Sequence, residues 1–106
     1  MEYINAIELK KKIDLGESVT VIDIRESYEL DICKVDSFKH IPMSEVVERT
    51  AEFSNDNSVV ICCRSGKRAV ALANLLIEDQ NLRNISVLEG GILAWIEKVD
   101  NQLEVY

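Results

Sequence analysis

Val59-Val60-Ile61-Cys62-Cys63-Arg64-Ser65-Gly66-Lys67-Arg68 runs directly into Ala69-Val70-Ala71-Leu72-Ala73-Asn74-Leu75-Leu76-Ile77. The short β-branched run from Val59 reads as a buried strand, and the Ala/Leu-rich run after Arg68 reads as a helix. Between them lies a loop with a cysteine, a glycine and the three cations Arg64, Lys67 and Arg68. A strand, loop and helix in this order aim successive backbone N–H groups and a helix N-terminus at one point, which makes an anion site before any side chain is counted. A cysteine at the rim of that cradle is expected as a thiolate, the nucleophilic form, because positive surroundings favour it. No separate general base is then needed.

Outward from this stretch, strands and helices alternate. Tyr3-Ile4 reads as an edge strand, and Asn5 with Glu8 three residues on has the capping-box spacing of a helix running to about Leu15 and ended by Gly16. Ala6, Leu9 and Ile13 share its apolar face. Val19 to Ile24 reads as a buried strand whose C-terminal end delivers Asp23 and Arg25. Ser27 is expected to cap a short helix to about Ile32, and Lys39-His40-Ile41 to form a brief strand stopped by Pro42. Ser44 is expected to cap a helix to about Phe53, with a turn at Asn55-Asp56-Asn57 before the Val59 strand. Ile85 to Leu88 is the last strand. Gly90-Gly91 opens a final helix with Ile92, Trp95, Ile96 and Val99 on one face.

Such alternation predicts a parallel sheet covered on both faces, with ligands beyond the carboxyl ends of the strands. The Cys63 loop, Asp23/Arg25 and Gly90-Gly91 all follow strand ends and so converge on one rim. The 106 residues, 47% apolar, suffice for one domain with its own core. A net charge of −7 argues against nucleic acid or an acidic membrane as partner, which leaves the cationic loop a local exception. Three cysteines, two of them adjacent, cannot form a paired disulfide framework, and no apolar run approaches 18 residues. A reducing cytoplasm, no signal peptide, no membrane span, no metal and no cofactor are the expectations, since His40 and scattered thiols lack zinc spacing.

Cys63 to Arg68 resembles the six-residue active-site loop of rhodanese-type sulfurtransferases, in which the first residue receives a sulfane sulfur as a persulfide. Val21-Ile22-Asp23-Ile24-Arg25-Glu26, His40-Ile41-Pro42 and Gly90-Gly91-Ile92-Leu93-Ala94-Trp95 also resemble family motifs, in family order. The resemblance implies a single rhodanese-like α/β domain over residues 1–106, with a central parallel sheet of about five strands and helices on both faces. It implies Cys63 as nucleophile, Arg64, Ser65, Gly66, Lys67 and Arg68 as substrate-binding, and Asp23 and Arg25 as supports of the loop. Lys67 and Arg64 are the expected ligands of an anionic sulfur donor such as thiosulfate or a protein persulfide, and Arg68 an alternative brace. Cys33 in Leu30-Asp31-Ile32-Cys33-Lys34-Val35, with the closing stretch Trp95 to Tyr106, resembles the C-terminal rhodanese-like domain of MoeB-like adenylyltransferase-sulfurtransferases. That implies a sulfur-carrier or cysteine-desulfurase protein as partner. The chain departs from those enzymes in having no nucleotide-activating domain, P-loop or G-x-G-x-x-G. It departs from the wider family in having Lys39 and Met43 where glycines are usual.

Two registers are open. Counting from Cys62 gives C-x5-R with Arg68, the spacing of protein phosphatases and a route to phosphatase or arsenate reductase chemistry; counting from Cys63 gives C-x4-R. Gly66, three residues after Cys63, favours the second. A silent interaction module is the remaining reading. His40 is expected as a satisfied structural histidine, and Trp95 and Cys62 as core.

Overall fold

A computed structural model describes residues 1–53, 55 and 58–106. Five strands form one sheet: β1 (Glu2–Ile4), β2 (Thr20–Asp23), β3 (Lys39–His40), β4 (Val59–Cys62) and β5 (Ile85–Leu88). Their order is β1-β5-β4-β2-β3 and every pairing is parallel. The apolar run from Val59 therefore occupies the centre, bonded on both edges. Because all strands point one way, the segments after β2, β4 and β5 emerge at the same end of the sheet.

Helices α1 (Ala6–Asp14), α2 (Ser27–Ile32), α3 (Lys67–Glu78) and α4 (Gly91–Lys98) complete the fold with two 3₁₀ helices, Met43–Glu45 and Val47–Glu52. Strand alternation divides β4 between two cores. Val59, Ile61 and Cys63 pack with Ala69, Leu72, Ala73 and Leu76 of α3, and with Val46 and Phe53. Val60 and Cys62 pack on the other face with Ala6 and Leu9 of α1 and with Ile92, Trp95 and Ile96 of α4. The Trp95 ring meets Phe38 edge-on at 5.0 Å, so it is a core residue.

Most boundaries follow the sequence signals. Asn5 and Glu8 form the capping box reciprocally, at 2.8 and 3.1 Å. Gly16 takes a left-handed backbone just past α1, as a helix-ending glycine does. Two expectations fail. Ser27 is the first residue of α2, not its cap: the Glu29 carboxylate accepts the Glu26 N–H at 2.8 Å, which fixes the boundary one residue earlier. Residues 43–53 do not form an α-helix from Ser44; the segment is two 3₁₀ turns, with Arg49 at φ −116°, ψ 19°. Only Val46 and Phe53 of it are fully buried, and β-branched Val46, Val47 and Thr50 favour a helix weakly, so no apolar stripe holds a continuous one. The turn expected over Asn55-Asp56-Asn57 falls largely outside the described residues.

Candidate active site

The loop after β4 closes around one sulfur atom. Gly66 caps α3 at φ +107°, a conformation that costs any residue with a Cβ, and this lets the chain double back over Cys63. Two backbone N–H groups then reach the Cys63 Sγ, from Gly66 at 3.1 Å and from Ala69 at 3.4 Å. The expected place of Cys63 at the rim is corrected: it is 1% exposed and forms the floor, because the first turn of α3 folds over it.

The other side of the loop is held by α4. Ile92 N–H donates to the Cys63 carbonyl at 2.8 Å and Leu93 N–H to the Arg64 carbonyl at 3.1 Å. Peptide planarity then turns the next two amides, those of Arg64 and Ser65, away from α4. Together with the amides of Lys67 and Arg68 they find no acceptor among the described residues. Gly91 permits this grip. A Cβ there would overlap the Cys63 carbonyl oxygen and lie 2.5 Å from that of Arg64.

The three cations differ. Lys67 is exposed and pairs with no described residue. Arg68 makes a two-pronged pair with Glu29, 2.8 Å at each nitrogen, so it braces α3 against α2 instead of facing a ligand. Arg64 also departs from expectation: its Nε donates to the Tyr106 main-chain oxygen at 2.8 Å, Nη2 reaches the same atom, and the guanidinium lies 5.1 Å from the Tyr106 ring centre. Ser65 is exposed at the crest and Gly66 is buried beneath it.

Asp23 and Arg25 are both buried, and Arg25 is fully so. Arg25 binds both Asp23 oxygens, the Cys33 carbonyl at 2.9 Å and the Tyr106 hydroxyl at 2.9 Å. A guanidinium so enclosed touches no solute; it ties β2 to the segment after α2 and to residue 106. His40 Nε2 lies 2.7 Å from the Arg25 carbonyl, to which it donates, a satisfied structural contact on β3.

Glu29 escaped the sequence reading because a six-residue helix shows too little periodicity to mark a buried carboxylate. It accepts from Arg68 and from the Tyr106 hydroxyl at 2.9 Å. The Arg68 guanidinium holds its carboxyl down to about 2, against burial. Burial pushes the Tyr106 hydroxyl up to about 12, which keeps it a neutral donor.

Cys62 cannot serve as the nucleophile of a longer loop. It faces the α1/α4 core, its one hydrogen bond among the described residues is to the Cys63 carbonyl at 3.5 Å, and burial, aided by the Asp23 carboxylate, pushes its thiol up. Among the described residues no three His, Cys, Asp or Glu side chains are grouped to hold a metal ion, and no helix is long and apolar enough to cross a membrane.

The family model of the Rhodanese-like domain matches residues 5–98. The chain belongs to the rhodanese-like domain family. It is 33% identical over 95 residues to YtwF of Bacillus subtilis, named as a sulfurtransferase, with 90% of each chain covered. It is 30% identical over 101 residues to MoeZ of Mycobacterium tuberculosis, named as an adenylyltransferase/sulfurtransferase, covering 93% of this chain but 26% of that one. A rhodanese-related protein of Thermoplasma volcanium has the same fold, with a TM-score of 0.79, 33% identity and 93% and 94% of the two chains covered. Free-standing and fused relatives thus match this rhodanese-like chain at similar identity.

Proposed function

We propose that the chain moves sulfane sulfur through a persulfide on Cys63. The observation that carries this is the loop itself: two N–H groups on the sulfur and four amides without an acceptor around it. Fixed amides stabilise negative charge on a sulfur without reorganising. The Cys63 thiolate attacks the outer sulfur of thiosulfate; the new Cys–S bond forms, the S–S bond of thiosulfate breaks, and sulfite leaves with the electron pair. The terminal persulfide sulfur then carries the negative charge within reach of the amides of Arg64, Ser65, Lys67 and Arg68. Attack by a thiophilic acceptor breaks the persulfide S–S bond and restores the thiolate; cyanide leaves as thiocyanate.

Lys67 is the cation that meets an incoming anion, with Ser65 beside it on the crest. Arg68 acts at the loop through its backbone while Glu29 holds its side chain. Similarity to YtwF and to MoeZ supports the sulfur chemistry, and similarity to MoeZ supports a sulfur-carrier protein, ubiquitin-like in kind, as acceptor. A persulfide-bearing cysteine desulfurase is the matching protein donor, and the cytoplasm the matching compartment. Mass spectrometry after exposure to thiosulfate tests the reading: a gain of about 32 Da, removed by cyanide, lost in Cys63→Ser and kept in Cys62→Ser, is expected. No gain on any form overturns it and leaves a binding module.

A further inference from the structure

The closing stretch of the chain meets the loop at Tyr106, and sulfur transfer as proposed above does not use it. Three parts of this one residue are engaged. Its main-chain oxygen accepts from Arg64 Nε and Nη2. Its ring lies within cation–π range of two guanidiniums, 5.1 Å from Arg64 and 5.7 Å from Arg25. Its hydroxyl accepts from Arg25 and donates to Glu29, each at 2.9 Å. Leu103 and Tyr106 also pack on the α1/α4 core, so the stretch is seated and not merely tethered.

The consequence concerns charge at the mouth. Arg25 and Arg68 are each paired with a carboxylate, Asp23 and Glu29. Arg64 pairs with no Asp or Glu side chain: among the described residues its partners are the main-chain oxygen and ring of Tyr106. Arg64 also adjoins Cys63, so a rotation of its side chain, without backbone movement, is enough to relocate a full positive charge. Tyr106 is what fixes that rotation.

Resting on the sulfur-transfer reading, we infer that Tyr106 is a specificity-determining positioning residue, which keeps the Arg64 guanidinium out of the mouth and so favours singly charged persulfide donors over dianionic ones such as thiosulfate. With Arg64 held, an anion meets the loop amides and Lys67. With Arg64 released, it meets a second mobile cation, and that cation gains more against two charges than against one.

Deletion of residues 104–106, which takes both the oxygen and the ring from Arg64, tests this with two readouts, and Tyr106→Ala, which removes the ring but keeps the main-chain oxygen, is expected to fall between the deletion and the parent. The first readout is kcat/KM for thiosulfate divided by kcat/KM for cysteine persulfide, whose net charge at neutral pH is a single negative one. The second does not require sulfur transfer: the alkylation rate of Cys63 by iodoacetate, an anion, divided by that by iodoacetamide, which is neutral, resolved to the Cys63 peptide. Release of Arg64 is expected to raise both ratios about fivefold, with thiosulfate KM falling and kcat nearly constant, and Arg64→Gln in the released background is expected to cancel the rise. Arg64→Gln in the parent is expected to lower the ratios less than about twofold, so the two changes are strongly non-additive. Tyr106→Phe keeps the ring and main-chain oxygen on Arg64 and is expected to match the parent within about twofold. Unchanged ratios on release, a rise that survives Arg64→Gln, or a rise in Tyr106→Phe equal to that of the deletion would each overturn the proposal. If Cys63 never gains sulfur but the alkylation ratio behaves as stated, the sulfur-transfer reading fails while the positioning of Arg64 by Tyr106 stands.

Discussion

Cys62 and Cys63 are neighbours of the same residue type, both buried, yet only the Cys63 sulfur receives backbone N–H groups among the described residues. Cys62 faces the α1/α4 core, where the one hydrogen bond of its sulfur among the described residues is to a carbonyl oxygen at 3.5 Å. Cys63 faces α3, and the chain turns back over it to place two N–H donors on its sulfur. Strand alternation separates the two side chains, but what distinguishes them is Gly66, which doubles the backbone over one sulfur and leaves the other in hydrocarbon. Backbone donors, more than residue type, set the two sulfurs apart.

The largest expected effect is the direct break of this comparison. Cys63→Ser should lower thiocyanate formation from thiosulfate and cyanide by at least about a thousandfold, as loss of a covalent nucleophile does. If Cys63→Ser keeps activity and Cys62→Ser loses it, the assignment of roles is reversed.

The next effect attacks the grip of α4 on the loop. Gly91→Ala places a Cβ against the Cys63 and Arg64 carbonyls at φ +60°, and relief requires giving up the two bonds from Ile92 and Leu93. A loss of about 3–4 kcal/mol in urea denaturation is expected from combined overlap and backbone strain. Gly66→Ala has room for its Cβ, 3.7 Å from the nearest atom, but not for its φ of +107°, and should cost about 1–2 kcal/mol while loosening the N–H on Cys63. Equal stability of Gly91→Ala and the parent would mean that α4 does not shape the loop.

A third effect is electrostatic and confined to the Arg68 side of the loop. The Glu29 carboxyl falls from its ordinary 4.5 to about 2 in the folded state, chiefly through Arg68. A depressed carboxylate stabilises the fold above its unfolded value and ceases to do so as pH falls through the folded one. About 3 kcal/mol should therefore be lost between pH 4.5 and pH 2. Glu29→Gln, less stable at neutral pH, should show a flatter decline across this window. An identical slope in both proteins would show that the pair does not anchor Arg68.

How far the sequence was legible follows from how local each signal is. The α1 capping box spans three residues, β5 is bounded where the Ile85 to Leu88 run suggests, and the Cys63-to-Arg68 spacing marked the loop that turns back over Cys63 at Gly66. The unhelical 43–53 segment was missed because its charged positions mimic a helix face while only two of its side chains are fully buried. The directions of the loop arginines were illegible for a different reason. Arg64 is settled by a residue 42 positions away, Arg68 by one 39 away and Arg25 in part by one 81 away, and no local pattern encodes which acceptor a long side chain will find. Tyr106 stood out in sequence only as a kinship signal, though it contacts two of these side chains, Arg64 and Arg25, and the Glu29 that holds the third.

The smallest expected effect sharpens the comparison most. Cys62→Val removes a thiol but keeps a side chain of similar volume among Val60, Leu88 and Ile92, so stability should fall by less than about 1.5 kcal/mol. Cys62→Ser keeps the volume but buries a hydroxyl whose nearest acceptor is the Cys63 carbonyl, and should cost more, about 1–3 kcal/mol. Turnover with thiosulfate should stay within about twofold of the parent in Cys62→Val, since no bond to the loop is lost. A tenfold fall in that variant, with its stability intact, would mean that the second sulfur takes part in the reaction, and the contrast between the two faces would no longer explain which cysteine works.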